Sequence, residues 1–148
     1  MIKVLDKIEG KSIDLILDEV VQENKEKGYP AAIMYKIVLK GTNIIVGHCS
    51  AKIGYSEILY YAGHTGFSVK EEYRGKGFAT EAVILLKKVF KANNMYWIYI
   101  TNNPDNQASI RVCEKIGAKF IKLVEFSEQD LKRFAVQDSF KNIWQLKI

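Results

Sequence analysis

The stretch Phe67-Ser-Val-Lys-Glu-Glu-Tyr-Arg-Gly-Lys-Gly-Phe-Ala-Thr-Glu-Ala82 limits what this chain can fold into more than any other. It reads as a short apolar strand, a tight basic glycine turn and the start of a helix. Gly75 and Gly77 let the backbone turn sharply and approach a ligand with no Cβ in the way. The helix that follows offers unpaired N–H groups and the positive end of its dipole, which together favour a phosphate or pyrophosphate. Arg74 and Lys76 add fixed charge beside those donors. The expectation is an anion site for a phosphorylated small molecule, built at a strand-to-helix turn.

Two phosphate motifs fail here. A Walker A loop needs Gly-Lys-Ser/Thr, and this turn runs Gly75-Lys76-Gly77-Phe78. A dinucleotide fingerprint ends on Gly or Ala, whereas the corresponding place holds Thr80, and no convincing acidic residue follows at the end of the next strand. The pattern that fits is R-x-x-G-x-A, with Arg74, Gly77 and Ala79. Such a turn also occurs in α/β proteins that bind nothing, so its context has to decide.

The chain has 148 residues, enough for one domain with a substantial core, and a single domain over 1–148 is expected. Its formal charge of +5 comes from lysines scattered along the chain rather than from a basic block. That pattern suits a solvated surface that draws in an anionic ligand; nucleic acid is not an expected partner. Cys49 and Cys113 are far apart and form no C-x-x-C pair, and His48 beside Cys49 points to the opposite strand face, so no metal is expected. Free thiols, no membrane-length apolar run and no signal-peptide pattern lead to an expected cytoplasmic location.

Taken in order, Met1 to Lys7 offers a weak strand, and Ser12 to Lys27 has the apolar spacing of a helix stopped at Gly28. Ala31 to Leu39 and Ile44 to Ile53 read as an antiparallel hairpin around Lys40–Asn43. Gly54 to Leu59 reads as a loop and Tyr60 to Lys70 as a third strand, in which Gly63 and Gly66 suggest a bulge. From Gly77 runs a helix with Ala82, Val83, Leu86, Val89 and Phe90 on one stripe, ending at Asn93-Asn94. Trp97 to Thr101 reads as a buried parallel strand, and Pro104-Asp105 begins a helix that stops at Gly117. Ala118 to Glu125 and Asn142 to Ile148 read as final strands; Ser127 to Phe140 is a polar connection with no clear period. The fold class is α/β: a mixed, mostly antiparallel sheet around a central parallel, right-handed strand-helix-strand unit.

At Arg74, Gly77 and Ala79 the chain resembles the GNAT N-acetyltransferase family, whose acyl-CoA pyrophosphate loop is Q/R-x-x-G-x-G/A. Downstream, Asn106, Ser109, Glu114, Lys115 and Gly117 match the N-x-x-S/A and E-K-x-G positions of the branch that includes ribosomal-protein N-acetyltransferases. Two linked motifs in the right order are more specific than either alone. The resemblance implies a GNAT-like fold and transfer of an acetyl group from acetyl-CoA to a primary amine, by direct attack in a ternary complex. It further implies that Phe67 and Val69 pair with the pantetheine arm through their backbone. The run Arg74, Gly75, Lys76, Gly77, Phe78, Ala79 and Thr80 would hold the pyrophosphate, with Asn106 and Ser109 along the arm. Asn106 as a plain helix cap and Ser109 as a bond to the preceding turn stay open.

The family's tyrosine acid, four residues before the glycine, is replaced here by Cys113. Cys113 is therefore a proton donor, a nucleophile for which no partner base is evident in sequence, or a packed, inert thiol. For the base, His64 is one candidate and Glu57 the other, against the simpler reading of His64 as a strand histidine. The acceptor, small molecule or peptide, is not readable, and a homodimer is left open. A non-catalytic acyl-CoA-binding or sensing domain is the alternative.

Overall fold

The computed structural model describes residues 1–134 and 136–148. Eight strands and four helices alternate along it: β1 (Lys7–Glu9), β2 (Ile13–Val21), β3 (Ala31–Leu39), β4 (Ile45–Ile53), α1 (Glu57–Ala62), β5 (Thr65–Val69), α2 (Phe78–Ala92), β6 (Trp97–Asn102), α3 (Gln107–Lys115), β7 (Lys119–Glu125), α4 (Glu128–Arg133) and β8 (Phe140–Lys147). Strands β1 to β5 form an antiparallel meander, and β6, β8 and β7 form a second, three-stranded sheet in that order. The expected α/β class with mostly antiparallel pairing therefore holds.

Three local expectations are corrected. The weak strand expected over Met1 to Lys7 is found instead at Lys7–Glu9. Residues 13–21 form a strand, not part of a helix over Ser12 to Lys27. The run Ile-Asp-Leu-Ile-Leu fits either period, and pairing decides it: β2 is laddered to β1 on one side and to β3 on the other. The expected strand from Tyr60 starts only at Thr65, because residues 57–62 are helical. Ser56 caps that helix, its Oγ accepting the Leu59 N–H at 3.2 Å, and Gly63 ends it at φ +84°. Within the polar connection, Ser127 caps α4 by accepting the Asp130 N–H at 3.2 Å.

The central strand-helix-strand unit is present in order as β5, α2 and β6, but among the described residues β5 and β6 share no ladder. β6 instead pairs antiparallel with β8. Where β5 and β6 diverge, the sheet opens.

Helix α2 supplies most of the helical share of the core. Ala82, Val83, Leu86, Val89 and Phe90 are buried as the stripe required, against Leu15, Ile33, Tyr35, Val46 and Ala51 of the large sheet. Glu81 faces back from its first turn, and its carboxylate accepts the N–H groups of Ser12 and Ile13 at 3.0 and 3.1 Å. That contact ties the β1–β2 turn to the helix start, where negative charge also suits the dipole. A smaller cluster of Phe126, Phe134 and Val136, with Ile58 and Tyr61 against it, joins α1 to α4 at the open end of the sheet.

Candidate active site

A cleft of about 660 Å³ lies between the free edge of β5, the turn before α2, and the first turns of α3. Its walls include Phe67, Val69, Arg74, Gly75, Gly77, Phe78, Ala79, Thr80, Asn106 and Ser109. Of the eleven residues expected at a ligand, ten line this one cleft; Lys76 does not.

β5 is an edge strand because, among the described residues, its only ladder is to β4. Lys70 sends its N–H to Val46 O on the β4 side at 2.8 Å. Backbone groups alternate in direction along a strand, so those of Val69 and Phe67 face the cleft. Arg74 is anchored beside them, its Nε donating to Val69 O at 2.9 Å. Gly75 and Gly77 both adopt φ +80°, a conformation that L side chains rarely take. Gly77 is the N-cap of α2 with no side-chain cap bond, so the first N–H groups of the helix point into the cleft.

The far wall is α3. Asn106 does cap it, Oδ1 accepting the Ser109 N–H at 3.1 Å, and it lines the cleft as well. Ser109 is not spent on its preceding turn: its Oγ accepts Nδ2 of Asn102, 3.2 Å away. Asn102 is 3% exposed and also accepts the indole N–H of Trp144 at 3.2 Å. The end of β6, the first turn of α3 and β8 are thus joined through one amide.

Several lining residues were given no ligand contact in the sequence reading, where Lys115 counted only as part of the E-K-x-G match. Arg111 and Lys115 stand one helical turn apart on α3 and face the cleft with Arg74 and Lys141. No Asp or Glu is among the lining residues. The i,i+4 spacing of Arg111 and Lys115 was a usable signal. Asn103 also lines the cleft, and its Oδ1 is buried without a hydrogen-bond partner, an acceptor awaiting a donor.

The three residues considered for proton transfer lie elsewhere. His64 is 0% exposed, and both ring nitrogens are engaged by backbone. Nδ1 accepts the Tyr99 N–H at 2.9 Å and Nε2 lies 2.8 Å from Gly54 O, a partner that can only accept. The ring is therefore neutral, with its proton on Nε2. Its own N–H donates to Tyr99 O at 2.8 Å, so His64 links the two sheets where they part. Burial, with the Lys52 charge adding to it, lowers its pKa. It has no lone pair left to take a proton from an amine.

Glu57 opens α1 and pairs with Arg133 at 2.9 Å in an exposed contact away from the cleft. Cys113 is fully buried on the inner face of α3, 3.6 Å from Asn102 Nδ2, and burial pushes its thiol up to about 12. This packing matches the inert-thiol reading. Cys113→Ala is expected to keep turnover within about threefold of the parent, with a stability loss of roughly 1 kcal/mol from the small cavity. A kcat loss of a hundredfold in a folded variant would restore its candidacy as an acid.

Residues 8–119 match the model of the GNAT acetyltransferase domain. The chain belongs to this family. A Bacillus subtilis (strain 168) relative, described as the uncharacterized N-acetyltransferase YnaD, is 33% identical over 100 residues, which cover 65% of this chain and 55% of that protein. The chain thus spans about half the length of the curated relative it matches. Among solved structures, a GNAT-family acetyltransferase from Bacillus anthracis is 26% identical with a TM-score of 0.60, over 77% of this chain and 65% of its own. RimL, a ribosomal L7/L12 alpha-N-protein acetyltransferase solved with coenzyme A, superposes with a TM-score of 0.68 at 15% identity over 96% and 98% of the two chains. The last likeness is one of fold.

Among the described residues, no group of three or more His, Cys, Asp or Glu side chains is arranged to hold a metal, and no helix is long and apolar enough to cross a membrane.

Proposed function

We propose that the chain is an acetyl-CoA-dependent N-acetyltransferase acting on a primary amine. The observation that carries this reading is the cleft itself: a free strand edge on one side, an uncapped helix start as its floor, four cationic side chains on its walls and no carboxylate. Coenzyme A has the matching chemistry, an amide-bearing arm and a polyanionic end. The arm runs along β5, taking backbone bonds from Phe67 and Val69 as an added strand would. Its amides meet Asn106 and the unpartnered Asn103 Oδ1. The pyrophosphate lies on the N–H groups at the start of α2 beside Arg74, and Arg111 and Lys115 face the remaining phosphate.

In the reaction, the neutral amine attacks the thioester carbonyl, a C–N bond forms and the C–S bond breaks. A backbone N–H on the free edge of β5 that the arm leaves unused receives the developing oxyanion. The amine proton passes to solvent, and the thiolate leaves without a side-chain acid, since Cys113 is held away from the cleft. A non-catalytic acyl-CoA-binding domain would share the donor cleft. The second, polar hollow that opens beside it favours a domain with a second substrate.

Isothermal titration tests the reading. Saturable binding of acetyl-CoA and CoA at one site per chain is expected, with affinity falling as salt rises because the cleft is cationic. Absence of saturable binding sinks the proposal, whereas binding with no thiol release across an acceptor panel supports the sensor alternative instead.

A further inference from the structure

The hollow beside the cleft has a volume of about 220 Å³ and is lined by Lys52, Tyr61, Ala62, Thr101, Gln137 and Asp138, with Lys141 and Val136 completing it. Thr101 and Lys141 also line the donor cleft, so the two spaces adjoin at the end of β6, where the sheets part. We infer that this hollow is the acceptor site and that it takes a small amine bearing an anionic group, a carboxylate or a phosphate, near the reacting nitrogen. The inference rests on the acetyl-CoA reading above.

Charge is the first reason. Two lysines face one aspartate across the hollow. Lys141 Nζ lies 3.9 Å from Asp138 Oδ2, a long pair that neutralises one of them. Lys52 makes no ion pair with a carboxylate among the described residues. The hollow therefore presents one uncompensated ammonium, on a strand whose neighbour is laddered to it at this level: Lys52 sends its backbone N–H to His64 O at 2.7 Å. Burial lowers the Lys52 pKa, because the ammonium is poorly hydrated there. An anion on the acceptor offsets this cost.

Position is the second reason. Lys52 sits on β4 and His64 immediately precedes β5, the strand whose free edge forms the donor wall. A ligand held by Lys52 at one end extends past Ala62 and Thr101 toward the donor cleft. Thr101 is itself fixed, its Oγ1 donating to Ala62 O at 3.2 Å. Asp138 is the carboxylate of this lining; Lys141 stands at its Oδ2, and its other oxygen, Oδ1, is open to the ammonium form of the incoming amine before it loses its proton. The lining is thus suited to a zwitterion in one orientation, anion to Lys52 and nitrogen toward the thioester.

Size is the third. Pockets for drug-sized ligands run from about 300 to 1,000 Å³, and this one is smaller at about 220 Å³. That favours a molecule of amino-acid dimensions over an extended peptide.

The test is thiol release from acetyl-CoA with matched acceptors: alanine beside alaninamide, β-alanine beside its amide, and O-phosphoethanolamine beside ethanolamine. The anionic member of at least one pair is expected to show a kcat/KM roughly tenfold or more above its neutral partner, the scale of one charge-assisted contact. The carboxylate and phosphate arms identify which anion the site takes. Lys52→Met should collapse that ratio toward unity, chiefly through the KM of the anionic acceptor, and Lys52→Arg should restore most of it. CoA titration of each variant reports separately on the donor cleft. Equal use of neutral and anionic partners overturns the inference. So does a ratio unchanged in Lys52→Met, turnover confined to peptide N-termini, or no turnover of any anionic amine by a protein that still binds acetyl-CoA. A parent chain that fails to bind acetyl-CoA removes the reading beneath it, a result distinct from all of these.

Discussion

Gly77→Val is expected to raise the Kd for CoA at least roughly a hundredfold, equivalent to about 2.7 kcal/mol. Gly77 holds φ +80° as the N-cap of α2, and no atom stands within 4 Å of where a Cβ would lie. Space is therefore not the constraint; backbone conformation is. A β-branched residue at this φ costs about 1–3 kcal/mol, so the chain leaves that conformation and the first turn of α2 is re-aimed or frays. Either outcome moves the N–H groups of Phe78, Ala79 and Thr80, which line the cleft floor. Gly41→Val supplies the control. Gly41 lies in the β3–β4 turn at φ +77°, also with nothing within 4 Å and outside the cleft, so it incurs the same kind of strain. That variant should lose stability comparably, seen as a lower Tm, and bind CoA as the parent does. Should Gly77→Val bind CoA within threefold of the parent, the helix start is not the phosphate cradle.

That contrast also explains why the donor side was legible in the sequence. Glycines at positive φ, a basic turn and a helix stripe are local signals, and each is complete within a few residues of Gly77. Helix α2 and the strands over residues 31–39 and 45–53 follow from the same kind of local pattern. Residues 13–21 did not, since the choice between helix and strand there lies in ladders to residues 31–39 rather than in their own period. Helix α1 was hidden by its length of 6 residues, too short for any stripe, although Ser56 marked its start. The acceptor side is less legible still. Lys52 and Lys141 are far apart in the chain and meet only because α4 and β8 close over the gap between the sheets. Cys113 occupied the position of a family acid, but only its place on the buried face of α3 reveals that it is sealed from the cleft.

His64 carries the second large effect, and it falls on stability rather than on chemistry. His64→Leu leaves two part-buried backbone groups without partners, the Tyr99 N–H and the Gly54 carbonyl, which come from 35 and 10 residues away in sequence. Each buried unsatisfied group costs about 1–3 kcal/mol, so a loss of roughly 4 kcal/mol is expected. For a chain of this size that lowers Tm by roughly 10 °C. The pH dependence distinguishes this role from mere packing. The folded chain holds His64 neutral with its pKa below the ordinary value, because burial and the Lys52 charge disfavour the cation, and protonating Nδ1 would set two N–H groups against each other. As pH falls, the unfolded chain takes up this proton first. The contribution is therefore fully present above about pH 6.5 and is lost as pH falls from there through the folded pKa. Urea midpoints measured at pH 7.5, 6.5 and 5.5 should drop for the parent over the lower interval. His64→Leu, less stable throughout, should show a correspondingly flatter profile there, because carboxylates elsewhere titrate in both proteins and cancel in the comparison. Parallel profiles would mean that His64 is not held neutral between the sheets. A folded fraction of His64→Leu that turns over acetyl-CoA within a few-fold of the parent would separate the histidine that holds the cleft open from the base it resembles in sequence.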